Sequence, residues 1–406
     1  MTDIFTNGFF IGNRKALRQT TDSNLIVLSA NGLLQRSGDT TFPFRQDSNF
    51  WYLTGIEEPD FILVMAENED FLIMPKRGEH RDLWDGIVNK KTIRQCSGID
   101  TILEFHEGWL KLDKLLKKYN KVHTLAPADV YMEHFGFYAN PARGVLLAAL
   151  QKHRKLEIVD ARKDIARQRQ IKQSPEITVL QRAIDITTET LKDVRNNLTN
   201  YKTEYEVGAD IAAGFLRRGA SGHGYQPIIA CGKHATTIHY TQNRAVLDEQ
   251  LLLLDVGAEV ANYSADITRT YAIKKPTPRQ RHVHDSVIAV QQKAFDMLKP
   301  GIDMKEFEQA VDLEMARELR KLKVLGNIND KKKLKKYYPH LTSHFLGLDT
   351  HDAADYTRPL KPGMVLTVEP GIYLPDEEIG IRIEDDVLIT ETGIKVLSAN
   401  LPTDLG

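Results

Sequence analysis

Four acidic residues stand in apolar runs, where a carboxylate is ordinarily disfavoured. Asp255 closes the aliphatic run 251–254, and Asp266 follows eleven residues later at the start of a second strand-like run, ITRTY. Glu369 interrupts MVLTVEPG, and Glu384 interrupts IGIRIEDDVLI. Burying one carboxylate is costly unless something compensates it. Four together repel, and several would be forced to protonate. Two divalent cations would balance the four acids charge for charge. Such an oxygen-rich ligand set suits a hard or borderline ion such as Mn²⁺ and lacks the sulfur typical of structural zinc. The plainer alternative is that each acid faces solvent or pairs with an arginine, Glu384 with Arg382 and Asp266 with Arg269.

Histidines add to the pattern. His340, His344 and His351 fall within twelve positions, in a stretch holding Gly347 and the extended segment LDTHD. The glycine argues against one continuous helix, and a histidine cluster beside a glycine suits a site on a loop. His239, in TTIHYTQN, is a fourth candidate.

The elements that must position these groups come in two sets. Residues 1–164 alternate short apolar runs (LIVLSA, DFILVMA, FLIMP) with helical stretches (LDKLLKKY, ARGVLLAALQKHR), which predicts a separate α/β domain. Residues 165–406 open with Ser174 as N-cap and Pro175 in the first turn. Apolar residues then recur at helical spacing from Ile177 to Leu198, and Thr203 with Glu206 forms a capping box ahead of a second helix that Gly219 stops. Strands follow. The order repeats: Thr277-Pro278 opens a helix, Asp303 and Glu306 cap another, and strands follow again. This predicts a duplicated α+β domain of two halves, each a helix pair with strands that bear two of the four acids.

Composition limits the rest. With 54 Lys+Arg against 55 Asp+Glu, the net charge of −1 provides no long-range attraction to nucleic acid or an anionic membrane. The lysine run 331–336 is expected to be a solvated loop or helix end. A 42% hydrophobic content excludes whole-chain disorder, and no run approaches the ~20 apolar residues of a membrane span. The two cysteines, Cys96 and Cys231, are isolated, and the amino-terminal segment has no signal-peptide pattern. A cytoplasmic protein is expected.

Taken together, LLLLDVGAEVANYSADITRTY, HLTSHFLGLDTHD, MVLTVEPGIY and GIRIEDD resemble, in order and spacing, the metal-binding segments of the creatinase, methionine aminopeptidase and aminopeptidase P superfamily. Within it the proline-specific aminopeptidase P (Xaa-Pro aminopeptidase) family is most similar. FRQDSNFWYLTG resembles its amino-terminal domain signature and SPEITVLQRA its inter-domain boundary. The resemblance implies the pita-bread fold, preceded by a smaller α/β domain. It implies two divalent ions held by Asp255, Asp266, His344, Glu369 and Glu384, with Asp266 and Glu384 bridging. It places His239 and His351 at the substrate as catalytic groups, with Glu369 shuttling the proton, and puts His340, Tyr373, Arg382 and Trp84 on the substrate side. Three positions depart from the family pattern: Leu341 for a common Gly, Phe345 for a common Trp, and the order Asp47-Ser48-Asn49 for Asn-Ser-Asp. No metal ligand is lost.

The implied reaction is hydrolysis of the bond between an amino-terminal residue and a following proline, whose nitrogen lacks the hydrogen other peptides offer for recognition. The implied assembly is a homodimer or homotetramer. The rivals are an Xaa-Pro dipeptidase (prolidase) with the same metal set and a non-enzymatic binding protein on the same fold.

Overall fold

A computed structural model describes residues 4–21, 25–125 and 136–406. Its contacts divide the chain into two compact units, Met1–Arg169 and Gln170–Gly406. Helix Arg162–Arg169 spans the expected boundary and is tied to the first unit. Gln168 Nε2 donates to the Asn13 carbonyl at 3.0 Å, and an Arg169 guanidinium N–H donates to Asn49 Oδ1 at 2.7 Å.

The first unit is built on a mixed six-stranded sheet. Its strand order is Thr101–Leu103, Asp70–Ile73, Ile62–Met65, Ile26–Ser29, Lys121–Thr124, Glu157–Asp160. Strands Ile26–Ser29 and Ile62–Met65 are buried along their whole length, as expected for a sheet covered on both faces. The amphipathic helix Phe105–Lys118 lays Leu112 and Leu116 against Val27, Val64, Phe71 and Ile73. The DSN signature has a structural use here. Asp47 caps helix Ser48–Thr54 by accepting from the amides of Asn49 and Phe50, and it pairs with Arg143 at 2.7 Å.

The second unit shows the predicted two halves. Helix Ser174–Asn196 packs on helix Glu204–Arg217, and helix Pro278–Met297 packs on helix Met304–Lys321. The first N-cap falls one residue before the expected Ser174: Gln173 and Glu176 form the capping box, because Glu176 reaches back to the Gln173 amide at 2.9 Å. The lysine run forms helix Lys331–Tyr337, with only Leu334 buried.

In each half, two antiparallel strands run together and then change sheets. Strand Leu251–Val256 pairs with Ile267–Ala272, whereas the intervening Ala258–Val260 and Tyr263–Ser264 pair in a different sheet. Likewise Val365–Val368 pairs with Asp385–Ile389, whereas Gly371–Leu374 and Ile379–Arg382 form their own ladder. Three of the four acids sit at these switch points: Asp266 just before its strand, Glu369 just after Val368, and Glu384 between two strands. Asp255 alone lies within a strand. At a switch point the pleat is broken, so a side chain leaves the alternation that would commit it to one sheet face.

Candidate metal centre and active site

The switch points bring the two halves together. The Glu384 amide donates to the Thr268 carbonyl at 3.0 Å, and the Thr268 hydroxyl donates to Glu384 Oε2 at 2.6 Å. Asp255, Asp266 and Glu384 are each at most 8% exposed. His344 Nε2 lies 3.4 Å from Asp266 Oδ2 and 3.5 Å from Glu369 Oε1. One ligand atom each from Asp266, His344 and Glu384 fall within 4.8 Å of one another. His344 Nδ1 lies 3.1 Å from the Phe345 carbonyl, which can only accept, so Nδ1 carries a proton and Nε2 is the nitrogen turned to the acids, donating to Asp266 and free to ligate an ion once deprotonated.

The nest is short of positive charge. Burial, with the charges of Asp266, Glu369 and Asp255 added, holds Glu384 well above the usual carboxylate range. Burial pushes Glu369 up to about 8 against the opposing pull of His344 and Arg382. Asp255 is also raised by burial, with the Arg382 guanidinium opposing. Burial would pull His344 down, but its hydrogen bond to Asp266 and the charge of Glu369 carry it up to about 9. Four carboxylates and one imidazole therefore form an oxygen-rich donor set whose own cations do not neutralise it. The set fits hard or borderline divalent ions, which Asp266, His344 and Glu384 could hold together with Asp255 and Glu369 beside them.

The arginine pairings differ from the plainer sequence alternative. Arg382 donates to Asp255, not Glu384, and also to Tyr373 Oη at 2.7 Å and Thr268 Oγ1 at 3.1 Å. Arg269, fully buried, pairs with Asp385 at 2.6 Å rather than with Asp266. Its guanidinium also donates to the Glu384 carbonyl, so it braces the backbone that carries the ligand. Neither arginine forms an ion pair with Asp266 or Glu384 among the described residues.

The remaining candidates of the second unit lie around the same nest. His340 Nδ1 lies 2.8 Å from the Leu341 carbonyl, which leaves Nε2 to accept from Tyr373 Oη at 2.8 Å. Burial and then Arg382 lower His340 to about 3, with His239 among the smaller contributors. The exposed His351 sets its ring edge-on to that of His344, centroids 4.4 Å apart. Desolvation, then His344, lower it to about 4, again with a contribution from His239. His239 lies at the exposed turn after the short helix Gly232–Thr236. The loop bearing His351 is anchored by a buried ion pair, Lys172 Nζ to Asp352 Oδ2 at 2.8 Å. Gly347 allows this anchor, since a Cβ there would stand 2.4 Å from the Asp352 carboxylate. Trp84 lies in the first unit, on helix Glu79–Asp85, 73% exposed, with Nε1 donating to His80 Nε2 at 3.1 Å.

Several participants carry no sequence signal of their own. The Tyr225 hydroxyl donates to Asp255 Oδ1 at 2.5 Å. Asp386 is fully buried and accepts from the Asp266 amide at 3.2 Å. Glu308, on helix Met304–Lys321, accepts from the amides of Thr342 and Ser343 at 2.9 and 3.1 Å, and so holds the histidine segment from behind. The most that sequence offers for Glu308 is a helical acid on a largely buried face.

Comparison with known proteins gives the family. Residues 178–391 match the profile described as Metallopeptidase family M24, and residues 10–123 match the one described as Aminopeptidase P, N-terminal domain. The Escherichia coli Xaa-Pro aminopeptidase is 32% identical, over 99% of this chain and 96% of its own length. The human Xaa-Pro aminopeptidase 3 is 30% identical, over 95% of this chain and 80% of its own length. The solved structure of E. coli aminopeptidase P with the inhibitor Pro-Leu superimposes with a TM-score of 0.87 at 30% identity, covering 98% of this chain and 96% of that one. Such full-length agreement also carries the pita-bread fold of the catalytic unit behind its α/β domain. The chain belongs to metallopeptidase family M24, as a hydrolase of the Xaa-Pro aminopeptidase type with the aminopeptidase P amino-terminal domain ahead of its catalytic unit.

Proposed function

We propose that the chain removes the amino-terminal residue from peptides with proline in second position, using two divalent ions, Mn²⁺ by preference. Asp255, Asp266, His344, Glu369 and Glu384 would hold them. The observation that carries this reading is the convergence of Asp266, His344 and Glu384 in a buried nest with too little positive charge of its own. When bound, the ions supply the Lewis-acid charge that makes water a nucleophile at neutral pH.

The residues of the chain do the rest. Glu369 takes the proton from the attacking water and returns it to the proline nitrogen as the C–N bond breaks. The first residue leaves with a carboxylate, and the shortened peptide leaves with a free prolyl amine. The inhibitor Pro-Leu of the E. coli structure begins with proline, as that second product does. His351 and His239 donate toward the carbonyl oxygen as negative charge develops there. Arg382 and His340 fix the Tyr373 hydroxyl between them and so set one wall of the substrate side. Proline has no amide hydrogen to recognise, so its pocket works by shape and ring contact. Trp84 is assigned to the substrate side on the family resemblance. The setting is a cytoplasmic homodimer or homotetramer.

Two measurements test the proposal: metal content after reconstitution with Mn²⁺, and hydrolysis of Ala-Pro-Ala, Ala-Ala-Ala and Ala-Pro. Two ions per subunit and cleavage of Ala-Pro-Ala but not Ala-Ala-Ala are expected. Cleavage confined to Ala-Pro would instead identify a dipeptidase, and no hydrolysis in saturating Mn²⁺ would point to a binding protein.

A further inference from the structure

We infer that Glu204 is a positioning residue, whose buried carboxylate holds the segment 231–245 so that His239 meets the substrate. This rests on the assignment of His239 to the substrate side.

Glu204 is the first residue of helix Glu204–Arg217 and is fully buried. Among the described residues its only ion-pair partner is His234, so the carboxylate relies on hydrogen bonds to offset its desolvation. Four donors supply them, all from one segment. Oε1 accepts from the Cys231 amide at 2.9 Å and lies 3.2 Å from His234 Nδ1. Oε2 accepts from the Tyr240 hydroxyl at 2.9 Å and the Ala245 amide at 2.8 Å. One side chain thus grips both the incoming and the outgoing limb of the segment, and His239 is carried between them, next to Tyr240.

The surrounding contacts make this grip the deciding one. The rings of His234 and Tyr240 stack at 4.5 Å with 10° between their planes, which locks the two limbs together above the carboxylate. The neck is closed by Asn243, which accepts from the Ile229 amide at 2.9 Å and donates to the Pro227 carbonyl at 2.8 Å. Below, the Ala235 carbonyl rests on Gly380, where a Cβ would lie 2.0 Å from its oxygen. His239 itself is exposed, so nothing in its own packing fixes it, and the buried anchor beneath must do so. Glu204 makes none of its hydrogen bonds to the five proposed metal ligands.

The test is a double-mutant cycle with metal content measured alongside. Glu204→Gln replaces one acceptor oxygen with an NH₂ group that faces two donors. Its kcat/KM on an Xaa-Pro peptide should fall roughly 10–100-fold, the scale of a misplaced catalytic group. In a His239→Ala background the same change should cost less than about twofold, since coupled residues are not additive. Metal per subunit should match the parent. Tyr240→Phe, which removes one donor and keeps the ring stack, is the milder variant. It should lose about threefold in the parent and nothing in the His239→Ala background. Equal losses in both backgrounds, or a fall in metal content, would overturn the inference while leaving the role of His239 intact. If His239→Ala alone leaves kcat/KM unchanged, both assignments fall, and the single variant shows it.

Discussion

Stripping the metal should make the stability of the catalytic unit depend on pH in a way the loaded protein does not share. In the metal-free nest, Glu369 is raised from 4.5 to about 8 and His344 from 6.5 to about 9. Both folded values lie above the unfolded ones. Each group therefore contributes stability that is fully present below its unfolded pKa and lost as pH rises through its folded pKa. His340 and His351, lowered to about 3 and 4, act in the opposite sense, but only below pH 6.5. Glu176 and Glu308, both raised to about 7 by burial, also titrate between pH 6.5 and 8, but in loaded and stripped protein alike, so the difference between the two isolates the nest. An excess of about 1.5 protons held by Glu369 and His344 across that window amounts to roughly 3 kcal/mol at about 1.4 kcal/mol per pH unit. At about 2–4 °C per kcal/mol for a unit of this size, the nest should lower the metal-free Tm by about 6–12 °C. With ions bound, the nest acids are already ionised and neutralised, so the loaded Tm should fall only by the share that Glu176 and Glu308 contribute. Differential scanning calorimetry is the assay, because Trp51, Trp84 and Trp109, the chain's three tryptophans, all lie in the first unit and none would report on the second. A gap between loaded and stripped protein equal at both pH values would refute the electrostatic reasoning, as would stripping without any effect on the transition.

Three further outcomes are expected. Asp266→Ala should abolish turnover and lower metal content below that of the parent; full activity would remove Asp266 from the ligand set. Glu176, nine-tenths or more buried against Lys172 and Tyr263, is raised to about 7, so its contribution is present below about pH 4.5 and lost as pH rises through 7. Glu176→Gln should therefore gain roughly 3 kcal/mol on the parent between pH 5 and 8 in denaturant unfolding; a difference independent of pH would contradict the burial argument. Gly380→Ala places a methyl 2.0 Å from the Ala235 carbonyl and should cost about 1–3 kcal/mol; an unchanged unfolding midpoint would show that the 3-10 turn yields freely.

Much of the site is legible in the amino-acid sequence because ions demand ligands of a fixed kind. Acids in the apolar runs ending at Asp255 and around Glu369 stand out against the cost of burying charge, and glycine beside three histidines marks a loop site. The two-half organisation can be read from caps and periodicity, since both are local properties of the chain. Residues 384–386 show where that legibility ends. They are three consecutive acids, and although Glu384 stands out next to Ile383 in the apolar run, nothing local says where Asp385 and Asp386 go. Only the change of sheet at residue 384 turns Glu384 into the nest, sends Asp385 to Arg269 and Gln291, and buries Asp386 against the Asp266 backbone. The arginine pairings are likewise undecidable from sequence, because the carboxylates that Arg269 and Arg382 meet come from the other half of the unit. Local propensity and patterning determined which residues could hold charge out of water. Hydrogen bonds and ion pairs between the two halves, from segments more than a hundred residues apart, determined which of them face one another.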